Sequence, residues 1–346
     1  MPMNIDADLP YSDIDETLGE RLWPNEPALA GEIARAIEGF LRTKYQPGHA
    51  RRDAHPKAHG IVKAEFRVSA DIPDELAKGV FAARKSYEAW IRFSNGLLDD
   101  DRDGDGRGMA IKLLNVPGQK LVESEPNATT QDFILFSSPV FFIDKPQNYL
   151  ALVTETGSAN FWSKVSEAFT LGVKGSLIAA KLNSNIISNP LQTTYWSAVP
   201  YQLGIGSERQ AVKYKVTPTS DVIDPLPADR GPDYLRAALG ATLANGGATM
   251  TFRLQPRTLD TQSVEDSMNE WKEQDAPFYE VATIHIPSQT FDTPEQNQFA
   301  EDIAFSPWHA LPEHRPLGVT NRLRKIIYEH VSRVRHEMNA VEYTEP

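Results

Sequence analysis

The segment from Asn321 to Asn339, NRLRKIIYEHVSRVRHEMN, constrains the fold of this chain more than any other stretch. Apolar residues recur in it at the three- and four-residue spacing of an α-helix. They are Leu323, Ile327, Val331 and Val334. Because these positions fall on one side of a helix, the pattern predicts an amphipathic helix over about 319–339 that packs one face inward.

Beside the apolar stripe runs a second one, made of two arginines and a tyrosine. Arg324, Tyr328 and Arg335 are separated by four and then seven residues, which places them nearly on one line along a helix. A guanidinium close to a phenol oxygen favours the phenolate, an anion that can bind a metal. The same spacing is common on solvated surface helices, so the pattern alone leaves both interpretations open.

The charge and the cysteine content exclude several classes of function. The 346 residues carry a net charge of −12, with a pI near 5.2, so nucleic acid and anionic membranes are repelled at long range. The absence of cysteine excludes disulfides, thiolate ligands, iron–sulfur clusters and covalent c-type haem. The acidic start, MPMNIDADLPYSDIDE, has no apolar core and predicts neither a signal nor a transit peptide. We therefore expect a cytoplasmic protein without stable membrane insertion.

The chain is predicted to contain two units. Residues 1–50 form an acidic, proline-punctuated arm followed by a helix that begins at Pro27 and ends near 45–48. Residues 51–346 form the larger unit, with a helical insertion over about 150–205 that is too charged to span a membrane. A further helical piece is predicted near 263–274.

A histidine-containing motif precedes the first predicted strand. The sequence R-x-x-H-x-K-x-x-G runs from Arg52 to Gly60, and apolar and charged residues then alternate over 62–68 as in a half-buried strand. His55 and His59 are four residues apart, but Pro56 breaks the helix that would align them as metal ligands. A metal site at this histidine pair is therefore disfavoured.

Three more motifs follow in the first half of the chain. In WIRFS, over 90–94, strand alternation places Arg92 and Ser94 on one face. RGMAIKLLN begins at Arg107, and SPVFFIDKP covers 138–146. With the helix that carries Tyr328, these segments make five ordered motifs over roughly residues 52–336.

In this order, the five motifs resemble those of the haem catalases, and more specifically of the short catalase-related peroxidases. The resemblance implies an α+β fold: a catalase-like antiparallel β-barrel that encloses haem b, with surrounding helices. The chain is too short for the C-terminal helical domain of full-size catalases. Residues 51–346 would then be the haem-binding domain.

The resemblance also implies roles for individual residues. Tyr328 would bind the haem iron as phenolate, with Arg324 stabilising its charge. His55 would transfer a proton between the two oxygens of a peroxide, and Ser94 would orient its imidazole. The other expected contacts, to the haem propionates and the pocket wall, are Arg52, Arg92, Arg335, Phe141, Phe142 and Tyr149.

The function implied is that of a haem peroxidase or catalase-like oxidoreductase, which reduces hydrogen peroxide or organic hydroperoxides with a small-molecule electron donor. One position departs from the family pattern. Catalases carry an asparagine just before the T-P-I-F-F segment, whereas Phe136, Ser137 and Ser138 stand there in this chain. We therefore expect weaker oxidation of hydrogen peroxide and relatively more peroxidase chemistry.

Two alternatives are kept. A rearrangement of fatty-acid hydroperoxides, as in allene oxide synthases, would use the apolar stretch over 161–180 to wrap the fatty chain. A non-catalytic haem-binding protein is the other, although it would have no need of His55 together with Ser94. The sequence leaves open the natural peroxide, its reductant and whether the chain forms a homo-oligomer.

Overall fold

The computed structural model describes residues 14–125, 127–156, 171–343 and 345–346. The α-helices of this part are α1 (Glu26–Lys44), α2 (Pro146–Thr156), α3 (Gly172–Asn183), α4 (Tyr234–Ala244), α5 (Pro294–Asp302) and α6 (Gly318–Asn339). The β-strands are β1 (Ala58–Val68), β2 (Ser86–Asn95), β3 (Arg107–Leu113), β4 (Gln131–Phe136), β5 (Tyr195–Trp196), β6 (Tyr201–Leu203), β7 (Gln210–Pro218), β8 (Ala248–Pro256) and β9 (Tyr279–Ile286).

The strands form one antiparallel sheet that closes into a barrel. Hydrogen-bonded neighbours follow the order β5-β4-β3-β2-β1-β9-β8-β7, and β5 also pairs with β7, which joins the two ends. Closure therefore involves eight strands, and β6 pairs with β7 as a short addition to the ring. The predicted α+β architecture, an antiparallel barrel with surrounding helices, is confirmed.

Aromatic side chains fill the inside of the barrel. Strand alternation directs Phe66 of β1, Phe133 of β4 and Phe252 of β8 inward, where each is fully buried. The ring centroids of Phe133 and Phe252 lie 4.9 Å apart, and those of Phe66 and Phe252 lie 5.3 Å apart. Because the interior is occupied at this level, residues on the opposite face of the same strands are the ones directed toward the helices.

Helices α1, α2 and α6 cover this outer face. The apolar face predicted for α6 is buried, with Leu323, Ile327, Val331 and Val334 each 5% exposed or less. It packs against Ile33, Ile37 and Leu41 of α1 in one apolar cluster. Helix α5 covers β1 from another side, where Ala300 and Ile303 contact Ala58 and Ile61.

Most of the predicted helices are observed. The helix expected over 319–339 spans Gly318–Asn339, and the helix expected from Pro27 spans Glu26–Lys44. In the 150–205 region, α2 and α3 are present, whereas residues 157–170, like the start of the predicted arm at 1–13, lie outside the described part.

The helical piece predicted near 263–274 is wrong. That segment consists of turns, because polar side chains bind its main chain: Ser263 Oγ accepts hydrogen bonds from the N–H groups of Glu265 and Asp266. Among the described helices, none is long and apolar enough to cross a membrane.

Candidate active site

Two adjoining cavities lie between the outer face of β2–β4 and the helices that cover it. Six residues line both of them: Asp53, Ala54, His55, Ile134, Leu135 and Tyr328. We call the first cavity the apolar lobe, because its wall is completed by side chains such as Phe136, Phe141, Phe142 and Val153. The second, which contains Arg52, Arg92 and Arg335, is the arginine lobe.

All ten site residues predicted from the sequence line one of these two cavities. Phe141, Phe142, Tyr149 and Arg324 lie in the apolar lobe, and Ser94 lies with the three arginines in the arginine lobe. Burial raises the pKa of Tyr149 well above its usual value, so this side chain is a neutral wall residue.

His55 is held in an unusual main-chain conformation. Its φ of 59° is in the left-handed region, which side chains other than glycine rarely adopt. The His55 N–H donates to the carbonyl of Gly96 at 2.6 Å, and the His55 carbonyl accepts from Arg92 Nη1 at 3.0 Å. These contacts fix the residue between the end of β2 and the arginine lobe.

The imidazole of His55 has a defined tautomer. Its Nδ1 is 3.0 Å from the main-chain carbonyl of Asn95 and 3.0 Å from Ser94 Oγ. Because a carbonyl only accepts, Nδ1 carries the hydrogen and Nε2 is the basic nitrogen. Burial lowers the pKa of His55 to about 4, and the charges of Arg92 and Arg324 act in the same direction. The ring is therefore neutral at pH 7 and able to accept a proton.

A glycine makes room for this pair of side chains. A Cβ at position 108, on the neighbouring strand β3, would lie 2.5 Å from His55 Nδ1 and 2.7 Å from Ser94 Oγ. No real Cβ tolerates such distances, and strand β3 is fixed in register by its pairing with β2. Gly108 is thus required by the position of His55, a role that the sequence motif RGMAIKLLN did not reveal.

Tyr328 is protonated in this environment. Burial raises the pKa of its phenol, the charge of Arg324 lowers it, and the charge of Asp53 raises it again. Arg324 bonds Asn321 at 3.3 Å and lies over the ring of Phe141, 5.5 Å from its centroid. The phenolate expected from the sequence therefore needs a further positive charge at the oxygen, such as a metal ion, to form near neutral pH.

The three arginines of the arginine lobe converge on the C-terminal end of α5. Arg52 Nη1 and Arg92 Nε donate to the carbonyl of Ala300, at 3.1 and 3.2 Å, and Arg335 Nη2 donates to that of Asp302 at 3.4 Å. A helix C-terminus carries partial negative charge, which attracts cations. These positions are distant in sequence, and only the folded chain brings them together.

The arginine lobe contains one guanidinium nitrogen that has no hydrogen-bond acceptor among the described residues. Arg92 Nη2 is buried and has no hydrogen-bond partner among the described residues. Burial lowers the pKa of Arg92, and the charge of Arg52 lowers it further. Burial likewise lowers the pKa of Arg335, to about 9. An orphaned buried donor among crowded guanidinium groups fits a ligand that supplies carboxylates, so the lobes together suit a flat apolar molecule with an acidic edge, such as haem.

No side-chain amide of the described residues lines either cavity. Of the residues just before Pro139, Ser137 Oγ accepts from the main-chain N–H of Arg107 and from Nδ2 of Asn185, and Ser138 Oγ donates to the carbonyl of Val140. Both hydroxyls are engaged by the surrounding main chain and side chains.

Asp53 is a site residue that the sequence reasoning missed. Among the described residues, it supplies the only carboxyl group in the lining of either cavity, and burial raises its pKa. Its charge also raises the pKa of both Tyr149 and Tyr328. Asp53 occupies an unspecified position of R-x-x-H, so the motif drew attention to its neighbours only.

A second group of buried charges lies outside the cavities. Glu125, His309 and Glu345 come close enough to hold a metal ion. Lys112 Nζ already lies 2.8 Å from Glu345 Oε2 and 3.0 Å from Asp132 Oδ1, so an ammonium group supplies the positive charge there. This group ties the C-terminal segment to the barrel.

No protein-family model matches the sequence, and no curated protein is significantly similar to it. Solved structures do match. A fungal catalase has a TM-score of 0.66 at 20% identity, covering 86% of this chain and 61% of the catalase. Catalase A from Saccharomyces cerevisiae has a TM-score of 0.64 at 18% identity, covering 95% of this chain and 70% of that catalase. A bacterial catalase has a TM-score of 0.64 at 16% identity, covering 98% of this chain and 67% of that catalase.

The chain thus spans about three fifths of the length of the fungal catalase and about two thirds of the other two. At identities this low, the likeness concerns the course of the main chain and not the chemistry of the site. Barrel closure, the helices that cover its outer face and the agreement with three catalase structures lead to one conclusion: this chain has a catalase-like fold.

Proposed function

We propose that this chain is a haem-dependent enzyme that reduces peroxides, taking electrons from a small-molecule donor. One observation carries the proposal: a neutral, oriented histidine and a half-buried tyrosine line the same space, which joins an apolar lobe to an arginine lobe. A protein that only stores haem has no need of an oriented proton acceptor beside it.

The residues present suit haem b. Tyr328 would bind the iron, and Arg324 would stabilise the resulting phenolate by its charge. Arg52, Arg92 and Arg335 would hold the propionates, for which bidentate guanidinium groups are well shaped. Phe141, Phe142 and Tyr149 would contact the ring. When bound, the haem iron supplies the redox chemistry that cleaves the peroxide bond.

His55 would move the proton. Its basic Nε2 accepts a proton from one peroxide oxygen and returns it to the other as the bond between them breaks. Asn95 and Ser94 keep the hydrogen on Nδ1, so that the correct nitrogen is available. Because the pKa of His55 is lowered to about 4, the acceptor stays unprotonated across the neutral range.

The apolar lobe favours an organic hydroperoxide over hydrogen peroxide. Its walls include Leu97, Leu98 and Phe136, and it extends to Phe40 and the exposed Lys44 of α1. An apolar substrate tail would gain by leaving water in this lobe, and a terminal carboxylate would find a cation at its rim. The same feature suits the rearrangement of fatty-acid hydroperoxides, which remains the second candidate.

Turnover of the haem-reconstituted protein tests the proposal. Hydrogen peroxide, cumene hydroperoxide and a fatty-acid hydroperoxide are supplied with and without a phenolic electron donor, and products and released dioxygen are measured. We expect consumption of organic hydroperoxide to exceed dioxygen release from hydrogen peroxide. Allene oxide products without donor would select the rearrangement, and dioxygen release equal to that of a catalase standard would contradict the preference for peroxidase chemistry.

Substitution of His55 is compared with the same substitution of an exposed histidine, His49, as the matched control. His55→Gln should lower kcat/KM for every peroxide by about 10²–10⁴, because it removes the proton acceptor. His49→Gln, at an exposed position, should change nothing. Haem-loaded His55→Gln that retains wild-type turnover would refute the assigned chemistry.

A further inference from the structure

Glu301, in the last turn of α5, places a carboxylate inside the group of arginines. Its Oε2 lies 3.6 Å from Arg52 Nη1 and its Oε1 lies 3.8 Å from Arg92 Nη2. Both distances exceed that of a hydrogen bond. Oε2 of Glu301 and Nη2 of Arg92 are both buried and have no hydrogen-bond partner among the described residues.

This arrangement is an incomplete ion pair. A carboxylate and a guanidinium that were permanent partners would close to direct hydrogen bonds, because an unpaired buried polar atom is costly. Instead, the carboxylate of Glu301 stays 3.6 Å from Arg52 and 3.8 Å from Arg92, so it attracts both guanidinium groups without a hydrogen bond. The carboxylate is thus close enough to offset part of the positive charge of Arg52 and Arg92, yet it leaves a donor of Arg92 free for another acceptor.

Other carboxylates act on these arginines from farther away. Glu301 lies within 3.8 Å of Arg52 and Arg92, and the charges of Asp53 and Asp302 also act on Arg52. A ligand with carboxylate groups would still find Nη2 of Arg92 without a hydrogen-bond partner among the described residues. Its acidic groups would also lie within a few ångströms of Glu301, which repels them.

We propose that Glu301 is an internal counter-ion that competes with the carboxylates of the ligand for Arg52 and Arg92 and so limits how tightly the arginine lobe holds them. The identity of the ligand as a porphyrin rests on the function proposed above. In the ligand-free protein Glu301 compensates buried cations, and in the complex it weakens binding. Glu301 is therefore a residue that sets affinity, without taking part in proton transfer.

Metal-free protoporphyrin IX and its dimethyl ester separate the acid contacts from the contact between iron and Tyr328. Both porphyrins have the same ring, but the ester carries no carboxylate. Glu301→Gln keeps the size of the side chain and removes its charge. We expect it to tighten binding of protoporphyrin IX about fivefold or more, and to leave binding of the ester unchanged.

Asp302→Asn is the matched control, because it removes the same charge from the next residue, whose carboxylate accepts from Gln298 at 2.9 Å. It should tighten protoporphyrin binding much less. Glu301→Asp keeps the charge but withdraws it by one methylene, and should give a smaller tightening in the same direction. This variant decides the matter if Glu301→Gln does not fold.

The dissociation constants are measured by porphyrin fluorescence titration. Unchanged or weaker binding of protoporphyrin IX by Glu301→Gln, or equal tightening of acid and ester, would overturn the competition. If iron haem then still gives a Tyr328-dependent spectrum in the wild type, the proposed function stands and only this inference falls. If the wild type binds neither porphyrin nor haem, both are overturned.

Discussion

Helix α6 contains a buried arginine near each end, and the two have opposite surroundings. Near the N-terminus, Arg322 is fully buried and donates to Glu26 at 2.7 Å and to Glu20 and Glu265 at 2.9 Å each. Near the C-terminus, Arg335 is also buried, but it bonds main-chain carbonyls at the end of α5 and shares its space with two other arginines.

The pKa values of these two arginines are shifted in opposite directions. Burial alone would lower the pKa of Arg322, but hydrogen bonds to Glu26 and Glu265 raise it above its usual value. For Arg335, burial lowers the pKa to about 9, and the charge of Arg52 adds to the effect. A buried arginine that is hydrogen-bonded to carboxylates stabilises the fold, whereas the arginines beside Arg335, which bond main-chain carbonyls, are the ones that we propose to bind an acidic ligand.

The largest expected effect is at Arg322, the arginine that is hydrogen-bonded to carboxylates. Arg322→Met should lower the free energy of unfolding by about 3–5 kcal/mol, because it removes the buried cation that Glu20 and Glu26 share. Arg333→Met, at an exposed position of the same helix, should change it by less than about 0.5 kcal/mol. Urea unfolding of the two variants gives the comparison, and equal losses would remove the distinction between them.

His309 is a second buried cationic group that contacts carboxylates, and its contribution to the stability of the fold depends on pH. Burial and the charge of Lys112 would lower the pKa of His309, but hydrogen bonds to Asp132 and Glu125 raise it to about 9. A histidine whose pKa is higher in the folded than in the unfolded protein stabilises the fold fully at pH values below about 6.5. This contribution is lost as the pH rises toward 9.

His309→Gln should therefore cost about 2–3 kcal/mol at pH 6 and much less above pH 9. Unfolding free energies of both proteins across this range are the measurement. A difference that does not change with pH would show that His309 is neutral in the fold.

At Arg92 the same kind of substitution should cost much less stability without ligand. Arg92→Met takes a donor from the carbonyls of Ala300 and His55 but also removes a crowded buried charge, so the free energy of unfolding should fall by no more than about 1–2 kcal/mol. Binding of protoporphyrin IX should weaken about tenfold or more, since a carboxylate loses its partner. A strong loss of stability with intact porphyrin binding would assign Arg92 to the fold instead.

The smallest effect is expected at Asp53. Because its charge raises the pKa of Tyr328, and does so less than burial does, Asp53→Asn should lower that pKa slightly. Alkaline titration of tyrosinate absorbance, taken as the difference from a Tyr328→Phe background, measures the shift. An unchanged value would show that solvent screens Asp53 from the phenol.

Sequence reasoning succeeded where a pattern is local. The face of α6 follows from the spacing of Leu323 and its apolar neighbours, and the placement of Arg92 and Ser94 follows from strand alternation. The contacts of Arg52 and Arg92 with the end of α5 could not be predicted, because they join segments more than two hundred residues apart. Periodicity contains no information about such contacts.

The effect of burial on the pKa of a side chain could not be predicted from the sequence either. The sequence places Arg324 one turn from Tyr328, but it does not reveal that burial acts on the phenol in the opposite direction and raises its pKa in the absence of iron. The carboxylates of Asp53 and Glu301 lie in or beside the site for reasons of tertiary packing. Residues 157–170, which contain much of the stretch expected to wrap a fatty chain, lie outside the described part.

The visible absorption spectrum of the haem-reconstituted protein tests the central claim most directly, with wild type, Tyr328→Phe and Tyr149→Phe measured together. Tyr149 is the control because it lines the same lobe without a predicted bond to iron. We predict a high-spin ferric tyrosinate spectrum in wild type and Tyr149→Phe that is lost in Tyr328→Phe. Failure to retain haem, or a spectrum indifferent to Tyr328, would contradict the haem site and the function built on it.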